Sequence, residues 1–142
     1  IDYPADAATT ARRKSSDQHA RLQLINNYPD GVLISIHQNF FPDGKPCGCQ
    51  VLYASTSGSE ELGKLMHEGL CAALCPGNRR VASPVSDSIY LMRGAKCTAV
   101  LVECGFLSNA DEAKLLQMSE YQTKISVVLL SSYLQFMASP QG

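Results

Sequence analysis

Two short apolar runs constrain this chain more than any other feature. They are Gly31-Val-Leu-Ile-Ser-Ile-His37-Gln-Asn39 and Thr98-Ala-Val-Leu-Val-Glu103-Cys-Gly-Phe-Leu-Ser-Asn109. Each has the length and β-branched content of a buried strand. Each delivers one reactive side chain, His37 or Glu103, at its C-terminal end. Ligands and chemistry gather where the strands of an α/β sheet end. If the two strands are parallel, an imidazole and a carboxylate share one rim, where a metal ligand beside a general base would fit.

The rest of the chain alternates helical and strand patterns. Residues 1–13 read as irregular, and Ser15-Ser-Asp17 offers cap residues for a helix over about 16–27 with Ala20, Leu22, Leu24 and Ile25 as its apolar stripe. Pro29, Asp30 and Gly31 end it, and the first strand covers about 32–38. A loop through Pro42, Asp43-Gly44 and Pro46 leads to a second strand, Gln50–Tyr53. Glu60–Leu74 is an amphipathic helix stopped by Cys75-Pro76-Gly77. Ile89–Met92 reads as a third strand and Ala99–Glu103 as a fourth. Ser108 or Asn109 caps a short helix with Asp111 and Glu112 in its first turn, where the helix dipole favours acids. A last helix over about 119–137 buries Tyr121, Ile125, Val128, Leu129, Ser132 and Phe136. The expected architecture is α/β, a mostly parallel sheet flanked by helices on both faces.

A chain of 142 residues, 45% hydrophobic and 18% charged, suits one domain with a single core. Its formal charge of −1, without a block of like charge, excludes an electrostatic nucleic-acid surface. The longest apolar run is too short for a membrane span. Ile1-Asp-Tyr-Pro has neither an initiator Met nor the basic and apolar regions of a signal peptide, so the chain reads as processed, truncated or taken from a longer one. The six cysteines are too irregularly spaced for a disulfide scaffold and read first as small buried apolar residues.

The motifs Ser35-Ile-His-Gln-Asn39 and Val102-Glu-Cys-Gly-Phe-Leu-Ser-Asn109 together resemble the zinc-dependent N-acetylmuramoyl-L-alanine amidases of the Amidase_3 type. Arg13-Lys-Ser-Ser-Asp17, His19–Asn26, Gly48–Tyr53, Tyr90–Ala95 and the closing Tyr121-Gln helix extend the likeness toward the spore-cortex, germination-associated branch. The resemblance covers about residues 12–137. It implies a phosphorylase/hydrolase-like fold and hydrolysis of the amide between N-acetylmuramic acid and L-alanine in peptidoglycan. It also implies a Zn2+ cofactor and an extracytoplasmic setting in the cell wall or spore cortex. By motif, His37 takes the place of the family's later zinc histidine and Glu103 that of its catalytic glutamate.

The family's earlier histidine turn and its ligand glutamate have no counterpart here. The expectation is a single, partial catalytic domain without its N-terminal strand and helix, its remaining ligands upstream of Ile1. One imidazole offers one ligand where a catalytic zinc wants three, so weak zinc binding and little turnover are expected of the polypeptide as it stands. An exposed sheet edge would favour self-association. The bland readings are a buried, satisfied His37 and a Glu103 paired with Arg21 or Arg93. His19 is a surface residue rather than a replacement ligand, and Asn39 ties the loop after its strand. Two other readings compete: an inactive cell-wall-binding pseudoenzyme, and a non-enzymatic module with a structural metal held by Cys47-x-Cys49 and His67-x3-Cys71-x3-Cys75.

Overall fold

The computed structural model describes residues 9–139. The first helix, α1 (Thr10–Asn26), begins earlier than its sequence pattern predicts, because Thr9 caps it and accepts the Arg12 amide through Oγ1 at 3.3 Å. Ala11, Arg12, Arg13 and Lys14 are good helix formers, so the helix extends back to the first available cap. Asp17, expected near the cap, instead pairs with Arg21 at 2.9 Å one turn on. The rest of the expected irregular segment, residues 1–8, lies outside the described residues. The predicted stripe on α1 is only half used: Ile25 packs inward, but Leu24 is 61% exposed.

The sheet holds four strands in the order β1-β4-β2-β3, with β1 Val32–Asn39, β2 Gln50–Tyr53, β3 Ser83–Pro84 and β4 Thr98–Phe106. β1 pairs with β4 in parallel and β2 with β3 in parallel, whereas β2 runs antiparallel to β4. The sheet is therefore mostly parallel with one antiparallel seam. β4 is the central strand and is buried along most of its length. β1, read from sequence as a buried strand, is an edge strand among the described residues, with no fully buried position and Ile36 exposed.

The expected strand at Ile89–Met92 is instead a short helix, α3 (Tyr90–Gly94). Four apolar residues carry no decisive periodicity. The Ser86–Ser88 turn, closed by the Ile89 amide donating to the Ser86 carbonyl at 3.0 Å, sets the chain up for a helical turn, and the Arg93 amide then bonds the Ile89 carbonyl at 3.0 Å. Only Met92 is fully buried, against the sheet. The place beside β2 is taken by Ser83–Pro84, too short to be seen in sequence.

The remaining helices fall where their patterns place them: α2 Ser59–Leu74, α4 Ala110–Leu116 and α5 Ser119–Ala138. One sheet face presents Val51, Val100, Val102 and Cys104 to Leu62, Met66 and Leu70 of α2 and to Ile125, Leu129 and Phe136 of α5. The other presents Ala99 and Leu101 to Met92, Ala95 and Cys97, with Ile25 and Leu33 at the margin. Each wholly buried Val or Leu contributes on the order of 1.5–3 kcal/mol, so the α2–α5 face dominates stability. Gly58 opens α2 at φ 75°, and a Cβ there would lie 2.9 Å from the Phe136 ring. Beside it, the Ser59 hydroxyl accepts the Ala99 amide at 2.9 Å and the Thr56 hydroxyl donates to the Cys97 carbonyl at 2.7 Å. These bonds lock the start of α2 onto the start of β4.

Candidate functional site

The two reactive side chains predicted to share a rim do so. His37 and Glu103 are register partners across the parallel β1–β4 pair. They are also its last regular pair. From His37 to Asn39 is two residues, but the matching step on β4, from Glu103 to Phe106, is three. The extra residue is a bulge, a device that ends pairing and re-aims side chains beside functional sites. Alternation along the strands places Ser35 and His37 on the α1–α3 face together with Leu101 and Glu103.

His37 is exposed, and its Nε2 pairs with the Ser35 hydroxyl at 2.8 Å. Glu103 is half-buried, and its buried Oε2 has no hydrogen-bond partner among the described residues. Neither candidate arginine reaches it: Arg21 pairs with Asp17, and Arg93 donates to the Asp87 carbonyl at 3.2 Å. The bland reading of Glu103 as a paired carboxylate therefore lacks a partner. Burial raises the proton affinity of Glu103 above the ordinary carboxylate range, and the nearby His37 offsets this only in part. A carboxylate tuned upward beside an imidazole suits a general base.

The segment after Glu103 builds the rim residue by residue. Cys104 points to the opposite face, where burial and then the charge of Glu103 push its thiol up to about 11, so it stays an inert core residue. The Phe106 amide donates to Glu112 Oε2 at 2.8 Å, while Glu112 Oε1 accepts the Gly48 amide at 2.7 Å. The Ser108 hydroxyl accepts the Phe41 amide at 2.9 Å. Asn109 caps α4 by accepting the amides of Asp111 and Glu112, each at 3.2 Å, and donates to the Gly44 carbonyl at 3.3 Å. Asn39 holds the loop as expected, its Oδ1 accepting the Phe40 amide at 2.8 Å. Glu112 is the residue that sequence reasoning undervalued. Its place in the first turn of α4 explained it as a dipole partner, but its carboxylate joins the end of β4 to the approach to β2.

Zinc chemistry can be weighed against these residues. An unpartnered carboxylate oxygen next to an imidazole is a fitting fragment of a metal-dependent hydrolase site. Among the described residues no further imidazole joins it. His19 lies on α1, bonded to the Ser15 carbonyl at 2.7 Å and tilted against Tyr90, and His67 is buried on α2. Among the described residues, the histidine, cysteine and acidic groups that cluster tightly enough to hold an ion are Cys49, His67 and Cys71, on the other side of the sheet. Cys47, which the sequence pattern paired with Cys49, is exposed and outside that group. A cavity of about 920 Å3 is lined by Cys75, Asn78, Arg80, Asn109 and Glu112 among others, and neither His37 nor Glu103 lines it. No helix among the described residues is long and apolar enough to cross a membrane.

Comparison with known proteins assigns the class. The profile of the N-acetylmuramoyl-L-alanine amidase family Amidase_3 matches residues 4–131, and the chain belongs to this family. It is 34% identical over 127 residues to the germination-specific N-acetylmuramoyl-L-alanine amidase of Bacillus subtilis, covering 89% of this chain and 53% of that protein. The chain thus spans about half the length of that curated relative. Among solved structures it is similar to the CwlD amidase of Clostridioides difficile, solved in complex with the GerS lipoprotein. That match has a TM-score of 0.89 and 32% identity, over 97% of this chain and 70% of that one. A second N-acetylmuramoyl-L-alanine amidase, from Clostridium difficile 630, gives a TM-score of 0.78 at 25% identity, over 87% of this chain and 66% of that one.

Proposed function

We propose that this chain supplies the general base and one metal ligand of an amidase that cleaves the bond between N-acetylmuramic acid and L-alanine in peptidoglycan. The observation that carries the reading is the His37–Glu103 register pair at the bulge, with the Glu103 Oε2 buried and unpartnered. His37 is the Zn2+ ligand of the pair. A catalytic set needs two more protein ligands, and among the described residues no second imidazole joins His37. When bound there, Zn2+ acidifies a water and polarises the scissile carbonyl.

The chain's own contribution is proton handling. Glu103 takes the proton of the attacking water and returns it to the departing L-alanine nitrogen. Its raised proton affinity makes it a better base than an exposed carboxylate. The Ser35 hydroxyl holds the His37 ring in position, and Asn39, Ser108 and Asn109 fix the loop at the mouth of the site. The setting that follows from this substrate is extracytoplasmic, in the cell wall or spore cortex.

The test incubates the protein with purified peptidoglycan and added Zn2+, following stem peptides that carry a free N-terminal alanine by mass spectrometry. Turnover by the chain as it stands is expected to be low, since His37 is a single ligand. H37A is expected to abolish it, and E103Q to lower it by roughly 10²–10⁴-fold. Cleavage unchanged in E103Q would refute the role given to Glu103. Retention on peptidoglycan with no cleavage by the unmodified chain would instead favour the wall-binding pseudoenzyme.

A further inference from the structure

We propose that Cys49, Cys71 and Cys75, with His67 as the fourth donor, form a structural Zn2+ site on the sheet face opposite His37 and Glu103. The inference is independent of the amidase reading. Cys49 immediately precedes β2, His67 and Cys71 lie one turn apart on α2, and Cys75 is the C-cap of that helix. The site would therefore clamp the end of α2 to the start of the strand.

The spacing of Cys49, Cys71 and His67 approaches that of a tetrahedral, thiolate-bound ion. With Zn–S near 2.3 Å and Zn–N near 2.0–2.1 Å, tetrahedral ligands stand about 3.8 Å apart for S···S and about 3.6 Å for S···N. In this structure Cys49 Sγ lies 3.8 Å from Cys71 Sγ and 3.3 Å from Cys75 Sγ. His67 Nε2 lies 3.4 Å from Cys71 Sγ. The donor atoms of Cys49, His67 and Cys71 all fall within 4.8 Å of one another; Cys75 stands outside that group, in contact with Cys49 Sγ, and is the donor that must shift to complete the set of four. Soft sulfur donors with one imidazole select Zn2+ over Mg2+ or Ca2+.

Two further features go beyond the packing of small apolar thiols. Asn78 Nδ2 faces all three sulfurs, at 3.8, 3.5 and 3.8 Å, while bonding the Cys49 carbonyl at 2.7 Å. That is the outer N–H donor expected around metal thiolates. His67 is only 4% exposed, donates Nε2–H to the Arg80 carbonyl at 2.7 Å, and keeps a buried Nδ1 with no partner. Nε2 is the ring atom that faces the sulfurs, so to ligate an ion the ring would carry its proton on Nδ1 and give up the bond to the Arg80 carbonyl. A disulfide would engage two of the three sulfurs and leave the convergence of the third, the imidazole and the amide without a reason. Cys75 and Asn78 line the 920 Å3 cavity, which gives an ion its entry path.

The test uses the full chain purified without chelators. Zinc content is measured, and Co2+ substitution is read by thiolate-to-cobalt charge-transfer absorption, which imidazole and carboxylate ligands do not give. About one equivalent of zinc and a strong charge-transfer band are expected in the unmodified chain and in H37A, and both are lost in the double variant C49S/C71S. Absence of the band in the unmodified chain, its persistence in C49S/C71S, or loss of zinc in H37A alone would overturn the proposal. So would a Cys49–Cys75 disulfide in protein kept with Zn2+. Should the double variant fail to fold, thiol alkylation of the unmodified chain decides. Zn2+ is expected to protect Cys49, Cys71 and Cys75 while exposed Cys47 reacts with or without metal. Equal labelling of the three with and without Zn2+ refutes the site.

Discussion

Glu112 is a stringent test of how the rim is held together. Replacing it by alanine removes two hydrogen bonds, from the Gly48 amide at 2.7 Å and the Phe106 amide at 2.8 Å, both on buried residues. Bonds to a charged acceptor contribute about 1.5–3 kcal/mol each, and a buried amide left without a partner costs about as much. Truncation is therefore expected to cost roughly 3–5 kcal/mol. For 142 residues, an unfolding entropy near 2.1 cal/mol/K per residue amounts to about 0.3 kcal/mol/K. The melting temperature of E112A should then fall by roughly 10–17 °C. E112Q keeps one carbonyl acceptor and turns an amide donor toward the other N–H, so about half that loss is expected. Thermal unfolding followed by circular dichroism gives both values. E60A serves as control, because the Glu60–Lys64 pair is exposed on both sides and pairs of that kind contribute less than about 1 kcal/mol. A melting temperature for E112A within about 2 °C of the unmodified chain would refute the view that this carboxylate fastens the end of β4 to the approach to β2.

Two other perturbations separate function from stability. Glu103 holds its proton more tightly in the folded state than in the unfolded chain. The folded protein therefore loses stability as pH rises from the ordinary carboxylate value through that raised one. E103Q is expected to melt higher than the unmodified chain at pH 7 and to match it at pH 3, while its cleavage falls; equal melting at both pH values would contradict the desolvated setting assigned to Glu103. G58A combines a left-handed backbone with a contact 2.9 Å from the Phe136 ring. A loss of roughly 2–4 kcal/mol is expected from strain and overpacking together, read from urea denaturation, and a change below about 0.5 kcal/mol would show that the start of α2 shifts freely.

What the sequence revealed, and what it hid, follows from the range of the forces involved. The burial of β4 was legible because of its apolar β-branched run, whereas the similar run of β1 lies at the sheet edge, which its composition does not record. That His37 and Glu103 share one sheet edge was legible because both end apolar strands of an α/β pattern, but their register pairing was not, since parallel order alone does not fix register. α3 was misread because four apolar residues fit either period, and the two-residue β3 leaves no pattern at all. The grip of Glu112 on Gly48 joins positions 64 residues apart, and no local spacing records such a bond. The thiols were half legible. The helical spacing of His67, Cys71 and Cys75 puts three donors on one stripe, but which cysteine of the preceding loop meets them depends on strand phase. Cys47 is exposed, whereas Cys49 stands next to Gln50, the register partner of Glu103. Because β2 and β4 run antiparallel with a period of two, that one-residue offset sends Cys49 and Cys104 to one face and Gln50 and Glu103 to the other. A slip of one residue in β2 would turn Cys49 toward the rim and Gln50 toward the core. The β2 register thus keeps the thiol cluster and the proposed base apart, which makes the metal content of H37A and of C49S/C71S independent measurements on the same chain.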